Sequence, residues 1–275
     1  MSALSFLPFL WSQYQFMCNA LFAMLLLTPM LGLLGSMTVS SKLAFFSDAL
    51  GHSALTGVAL GVVLGIGNPL WSMVAFGIVM ALLITRVKAA SASSADTVIG
   101  VFSSTAIALG LVLLSRGGSV ARYSSYLVGD VLAITPRDLM TLAVTLAVVV
   151  VLWVLLYNPL QLLCLNEPLA RSRGVKTALI ENVFVMMVAV VVMISIQWVG
   201  VLLINALLVL PAAAARNISG TARRYTALSV GFSMATGAAG LLASFYWNTS
   251  AGPTIALFGA GLFFVTYAIR RVRRT

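Results

Sequence analysis

What most constrains this chain is a succession of apolar runs, each about long enough to cross a bilayer and almost free of charge. Nine are read, at 14–36, 43–65, 69–87, 97–115, 138–157, 179–197, 199–215, 225–246 and 253–270. A membrane-crossing helix needs about 20 such residues. Charged residues make up only 8% of the sequence, where a soluble domain carries roughly 25%. The expected fold is all-α: a polytopic transmembrane helical bundle of about nine spans, forming one transmembrane domain over residues 1–275. Turn chemistry marks the breaks, in GIGNP at 65–69, SRGGS at 115–119, YNP at 157–159 and NTSAGP at 248–253. The stretch 119–137 is too polar for a span and is expected as a surface or re-entrant segment.

The net charge of +10 raises the question of a nucleic-acid partner, which the distribution of the charge excludes. Basic residues sit in short segments between apolar runs and in the terminal AIRRVRRT, as positive-inside loops do. With the N-terminus outside, Lys42, Arg86, Lys88, Arg171, Arg173, Lys176, Arg216, Arg223, Arg224, Arg270, Arg271, Arg273 and Arg274 are all cytoplasmic. Only Arg116, Arg122 and Arg137 remain outside, so the expected orientation is N-terminus out and C-terminus in. No basic residue precedes Lys42, so the N-terminus does not read as a cleavable signal. Cys18 and Cys164 are isolated in apolar contexts and read as small core residues.

Within the second run, FFSDALGHSALTGVALG places Asp48, one of six acidic residues, four positions before His52, the single histidine. Positions i and i+4 share a helix face. A carboxylate oxygen and an imidazole nitrogen there can converge on one ion, both being ligands for zinc and serviceable ones for manganese or iron. An ionisable group at membrane depth costs about 2.5–3.5 kcal/mol even on the lenient insertion scale, which makes it a functional candidate by default. The alternative is that the two neutralise each other and pin helices together. Gly57, Gly61 and Gly65 extend the face that starts at Ser53, and small residues at that spacing let another helix approach closely.

The chain has no G-x-x-x-x-G-K-[ST] phosphate loop, since Lys42, Lys88 and Lys176 follow Ser, Val and Val. Nor is there a nucleophile elbow for an intramembrane protease, so an enzyme is not indicated. The stretch LNEPLARSRGVK at 165–176 reads as a short amphipathic helix, capped by Asn166, with Pro168 in its first turn and Gly174 at its end. It is either a connector or a docking helix for a cytoplasmic partner. In 199–215, Pro211 lacks an N–H, which frees the carbonyl of Leu207 and invites a kink. Asn205 must find a hydrogen-bond partner inside the bundle.

Together these segments resemble the membrane permease of the ATP-binding-cassette importers for zinc, manganese and iron. FFSDALGHSALTGVALG is similar to that family's D-[AT]-[IL]-x-H-[AS] helix, and YLVGDVLAITPRDL at 126–139 to its extracytoplasmic segment. LNEPLARSRGV is similar to its coupling loop, VGVLLINALLVLPAAAAR at 199–216 to its late helix, and SAGPTIAL at 250–257 to its last loop. The resemblance implies a fold like the vitamin B12 and siderophore permeases (type II importers), multi-pass in the bacterial plasma (inner) membrane and surrounded by membrane lipid. It implies a transported divalent metal ion, with no permanently bound cofactor, held in transit by Asp48 and His52. Pathway or gating roles follow for Asn205, Pro211 and Asp130, and ATPase coupling for Glu167, Ala170, Arg171 and Gly174. The implied partners are a cytoplasmic ATP-binding subunit, an extracytoplasmic metal-binding protein, and a second permease copy or paralogue. Ser103 and Ser104 stand where zinc-type members often carry a second histidine, and Asn205 and Asn248 also depart from the usual residues. Zinc is the first expectation for the metal and manganese or iron the next. A stand-alone secondary transporter or channel, or a structural subunit, are the competing readings.

Overall fold

The computed structural model describes residues 14–117, 129 and 131–272. Asp130, most of 119–137 before Val131, and the last three residues of RRVRRT lie outside the described residues. The described residues form nine α-helices and one 3-10 turn, with no strand among them. They are α1 (Gln15–Ser40), α2 (Phe46–Val63), α3 (Pro69–Ala90), α4 (Ala95–Gly117), α5 (Pro136–Leu165), α6 (Glu167–Ser172), α7 (Thr177–Ile218), α8 (Ala222–Trp247) and α9 (Ala251–Val272). The 3-10 turn is Val131–Ala133.

Eight helical segments are long and apolar enough to span a membrane, and Leu203–Ile218 is a shorter apolar one. The expected spans 179–197 and 199–215 fall within α7, which breaks at Gly200, where φ is 76° and ψ is 163°. That backbone geometry is open essentially to glycine alone. The break expected at YNP does not occur: α5 continues through Pro159 to Leu165. Proline forfeits one helical hydrogen bond, which membrane helices tolerate where neighbouring groups or local adjustment re-satisfy the backbone. Other boundaries follow their turn residues. Asn68 caps α3, accepting from the Leu70 N–H, with Pro69 opening the helix. Asn248 ends α8 in the left-handed conformation, at φ 52°.

The chain gathers into two compact units whose boundaries fall inside α1, α5 and α7. The first takes the described residues of Met37–Gly129 and Val151–Asn205. In it α2 packs on both α3 and α4, and missing side chains decide how closely. A methyl on Gly57 would stand 2.7 Å from the Cα of Met73, and one on Gly61 would collide with the Ser72 hydroxyl. From α4, Gly110 lies against Thr56, whose hydroxyl donates to the Ala106 carbonyl. From α3, Gly77 meets Met193 of α7, whose Cε would lie 2.6 Å from an added methyl. Gly65, expected with Gly57 and Gly61 in helix packing, has nothing within 4 Å of an added methyl and takes φ +68°. It lies past the end of α2 and serves the turn into α3 instead.

The second unit takes the described residues of Met1–Ser36, Asp130–Val150 and Ala206–Thr275. There Gly32 of α1 meets the backbone of Val230, and its carbonyl accepts from Ser229 Oγ at 2.7 Å. Gly35 sits against the Leu208 carbonyl, and Gly240 of α8 lies against Ile255 of α9. The freed carbonyl of Leu207, opposite Pro211, accepts from Ser233 Oγ at 3.5 Å. Pro211 therefore stays inside a continuous helical segment, and the non-helical point of α7 is Gly200.

The helices differ in how much they bury. In the most apolar stretch of α5, 17% of residues are buried, whereas α2 at 72% is the most enclosed of the spans. Gly57→Val should drive α2 from α3 and cost about 1–3 kcal/mol, the usual range for overpacking. Gly100→Ala, at a helical position with nothing within 4 Å, should be neutral or stabilising by up to about 1 kcal/mol. Thermal unfolding of both variants in detergent checks the contrast.

Candidate metal site

Asp48 stands in the first turn of α2, where the helix dipole favours negative charge. His52 follows one turn later on the same face. The Asp48 Oδ2 to His52 Nε2 separation is 3.6 Å, beyond ordinary hydrogen-bond length. Two ligands about 2.0–2.2 Å from one tetrahedral ion stand roughly 3.3–3.6 Å apart. The pair is therefore spaced as ligands of a shared ion are.

The other carboxylate oxygen is engaged by α7. Asn205 Nδ2 donates to Asp48 Oδ1 at 2.6 Å. One turn earlier on α7, Val201 sits against Gly51, whose added methyl would meet Val201 Cγ1 at 2.5 Å. The small residue between Asp48 and His52 is thus what lets α7 come close enough for the amide to reach the carboxylate. The Asn205 carbonyl oxygen is buried without a hydrogen-bond partner. Its amide hydrogens meet the demand of Asp48 while its own acceptor goes unsatisfied.

The side chains of Asp48 and His52 remain 44% and 41% exposed in the single chain. Among the described residues no group of three or more His, Cys, Asp or Glu could hold a metal. Among the described residues the candidate set is the pair Asp48 and His52, with Asn205 behind it.

The remaining described acids have other duties. Asp138 accepts from both the backbone N–H and the hydroxyl of Thr135, closing the start of α5. Glu167 pairs with Arg171 at 2.5 Å within α6, and Asp96 is exposed in the first turn of α4. Glu181 of α7 pairs with Lys88 of α3 at 2.7 Å, a link that the sequence did not announce because 93 positions separate the partners. Asp48 alone among them meets an imidazole and an amide.

Around α6, Asn166 accepts from the Leu169 N–H, and Gly174 takes φ +76°. Ala170 is buried, whereas Glu167 and Arg171 are exposed. The short helix thus offers a charged outer face.

A model of the ABC 3 transport family matches residues 13–270. The chain belongs to that family. Among its relatives, the high-affinity zinc uptake system membrane protein ZnuB of Haemophilus influenzae is 29% identical over 91% of this chain and 96% of its own length. The manganese import system permease protein ScaB of Streptococcus parasanguinis is 30% identical over 95% of this chain and 93% of its own. The solved structure of PsaBC from Streptococcus pneumoniae in complex with Fab superposes with a TM-score of 0.81 at 27% identity, covering 93% of this chain and 92% of that one. The all-helical membrane architecture read from the sequence is the architecture of this family.

Breaking the α3–α7 link should weaken the fold modestly. Lys88→Met should cost on the order of 1 kcal/mol, since the pair is only partly buried. Exchanging both charges, Lys88→Glu with Glu181→Lys, should recover most of the loss, as read from thermal midpoints of the single and double variants.

Proposed function

We propose that this chain is the membrane permease of an ATP-driven importer that carries a divalent transition metal, zinc first and manganese or iron next, into the cytoplasm. The observation that carries the reading is the Asp48–His52 pair, held at ligand spacing on the most enclosed helix. A hydrated divalent cation cannot cross an apolar bundle unaided, and a carboxylate with an imidazole replaces part of its water and charge. Relatives named for zinc uptake and for manganese import support the class of cargo.

In this reading the whole chain is one permease domain, with 165–176 as its coupling segment. The exposed face of α6, with Glu167 and Arg171, is where the ATP-binding subunit docks. An extracytoplasmic protein delivers the metal, and a second permease copy or paralogue closes the open side of the pair. The site must be weak, because a tight one would trap its cargo.

Asp48→Asn and His52→Ala should each reduce metal uptake into reconstituted vesicles to background while the complex still assembles. The neutral replacement is the sharper of the two, since Asn keeps the shape and loses the charge. Parental transport by Asp48→Asn would make the pair structural. Glu167→Ala should slow ATP-driven uptake several-fold and leave metal binding by the chain unchanged. For orientation, single cysteines replacing Gly67 and Arg173 should label from opposite sides, with Arg173 cytoplasmic.

A further inference from the structure

Asp48 has two oxygens, and they face different neighbours. Oδ2 stands 3.6 Å from His52 Nε2, whereas Oδ1 accepts from Asn205 Nδ2 at 2.6 Å. We infer that Asn205 is a specificity-determining residue: its amide holds Asp48 Oδ1 away from the ion, keeps the carboxylate a one-oxygen ligand, and so favours zinc over manganese. This rests on Asp48 and His52 being the transit site.

The direction of the amide follows from chemistry. A carbonyl oxygen 2.6 Å from a carboxylate oxygen would be repelled, so the NH2 group must be the one that points at Asp48. That orientation leaves the Asn205 carbonyl oxygen buried and without a partner. The short reach is set by Gly51 against Val201, so the amide has little room to withdraw.

The consequence for the cargo is a matter of coordination number. Zinc is content with about four ligands, taking one oxygen from a carboxylate and a nitrogen from imidazole. Manganese favours a larger, oxygen-rich shell. A carboxylate free to turn can offer both oxygens to such an ion, and Asn205 prevents this by occupying one. Removing the amide should therefore improve the site for manganese more than for zinc.

The test measures Zn²⁺ and Mn²⁺ affinities of the full chain in lipid nanodiscs, for the parent, Asn205→Ala and Asp48→Asn. Asn205→Ala should raise the ratio of manganese to zinc affinity by about tenfold. Bound Co²⁺ should also lose the intense visible absorption of a four-coordinate ion in favour of the weak bands of a higher-coordinate one. An unchanged ratio, or an equal fall in both affinities, would overturn the inference, because a merely structural residue affects both metals alike. Should the alanine protein fail to assemble, Asn205→Leu removes the same donor at similar volume and is read in the same way. Full metal binding by Asp48→Asn would sink the transit site and this inference with it. Loss of binding in Asp48→Asn together with an unchanged ratio in Asn205→Ala would sink the inference alone.

Discussion

The arrangement depends on how closely helices approach α2. Without water in a bilayer core, apolar side chains give helices little reason to associate, and close packing must do what the hydrophobic effect does elsewhere. Here closeness comes from absent side chains: Gly51 admits α7, Gly57 and Gly61 admit α3, and Gly110 brings α4 onto Thr56. Enclosure of α2 then follows, and with it the setting of the one carboxylate–imidazole pair. A larger residue at Gly51 would push back the helix that carries Asn205, so the polar geometry hangs on an apolar contact.

A second constraint is that backbone groups released from helical bonding need new partners where water is scarce. Proline at 211 releases the Leu207 carbonyl, and Ser233 supplies a hydroxyl to it. The compensating group comes from a different helix, α8. Membrane helices accept such exceptions only when a neighbour is placed to absorb them.

Much of the fold was legible because hydropathy and turn residues are local signals. Asn68 with Pro69, Asn166 with Pro168, and Asn248 could be read as helix ends, and the structure caps helices at each. The i,i+4 spacing of Asp48 and His52 by itself makes them neighbours on one helix face. Three features were not legible in the same way. Pro159 looks like a break yet lies inside α5, since a membrane helix tolerates the one hydrogen bond that proline forfeits. Gly65 follows the four-residue rhythm of Gly57 and Gly61, but the helix ends before reaching it. The partner of Asn205 was left open by the sequence, because 157 positions separate it from Asp48 and only folding brings them together.

The break in α7 has a consequence for how this protein can change over time. Gly200 adopts a backbone shape that side chains disfavour, and Gly129 packs directly on its main chain, with no room for a methyl. In most tight contacts, a bulky change on one side can be rescued by shrinking the residue opposite. Neither member of this pair can shrink further. Damage at one position therefore has no suppressor at the other, and genetic relief for a substitution at Gly129 has to come from movement of the main chain rather than from a compensating side chain.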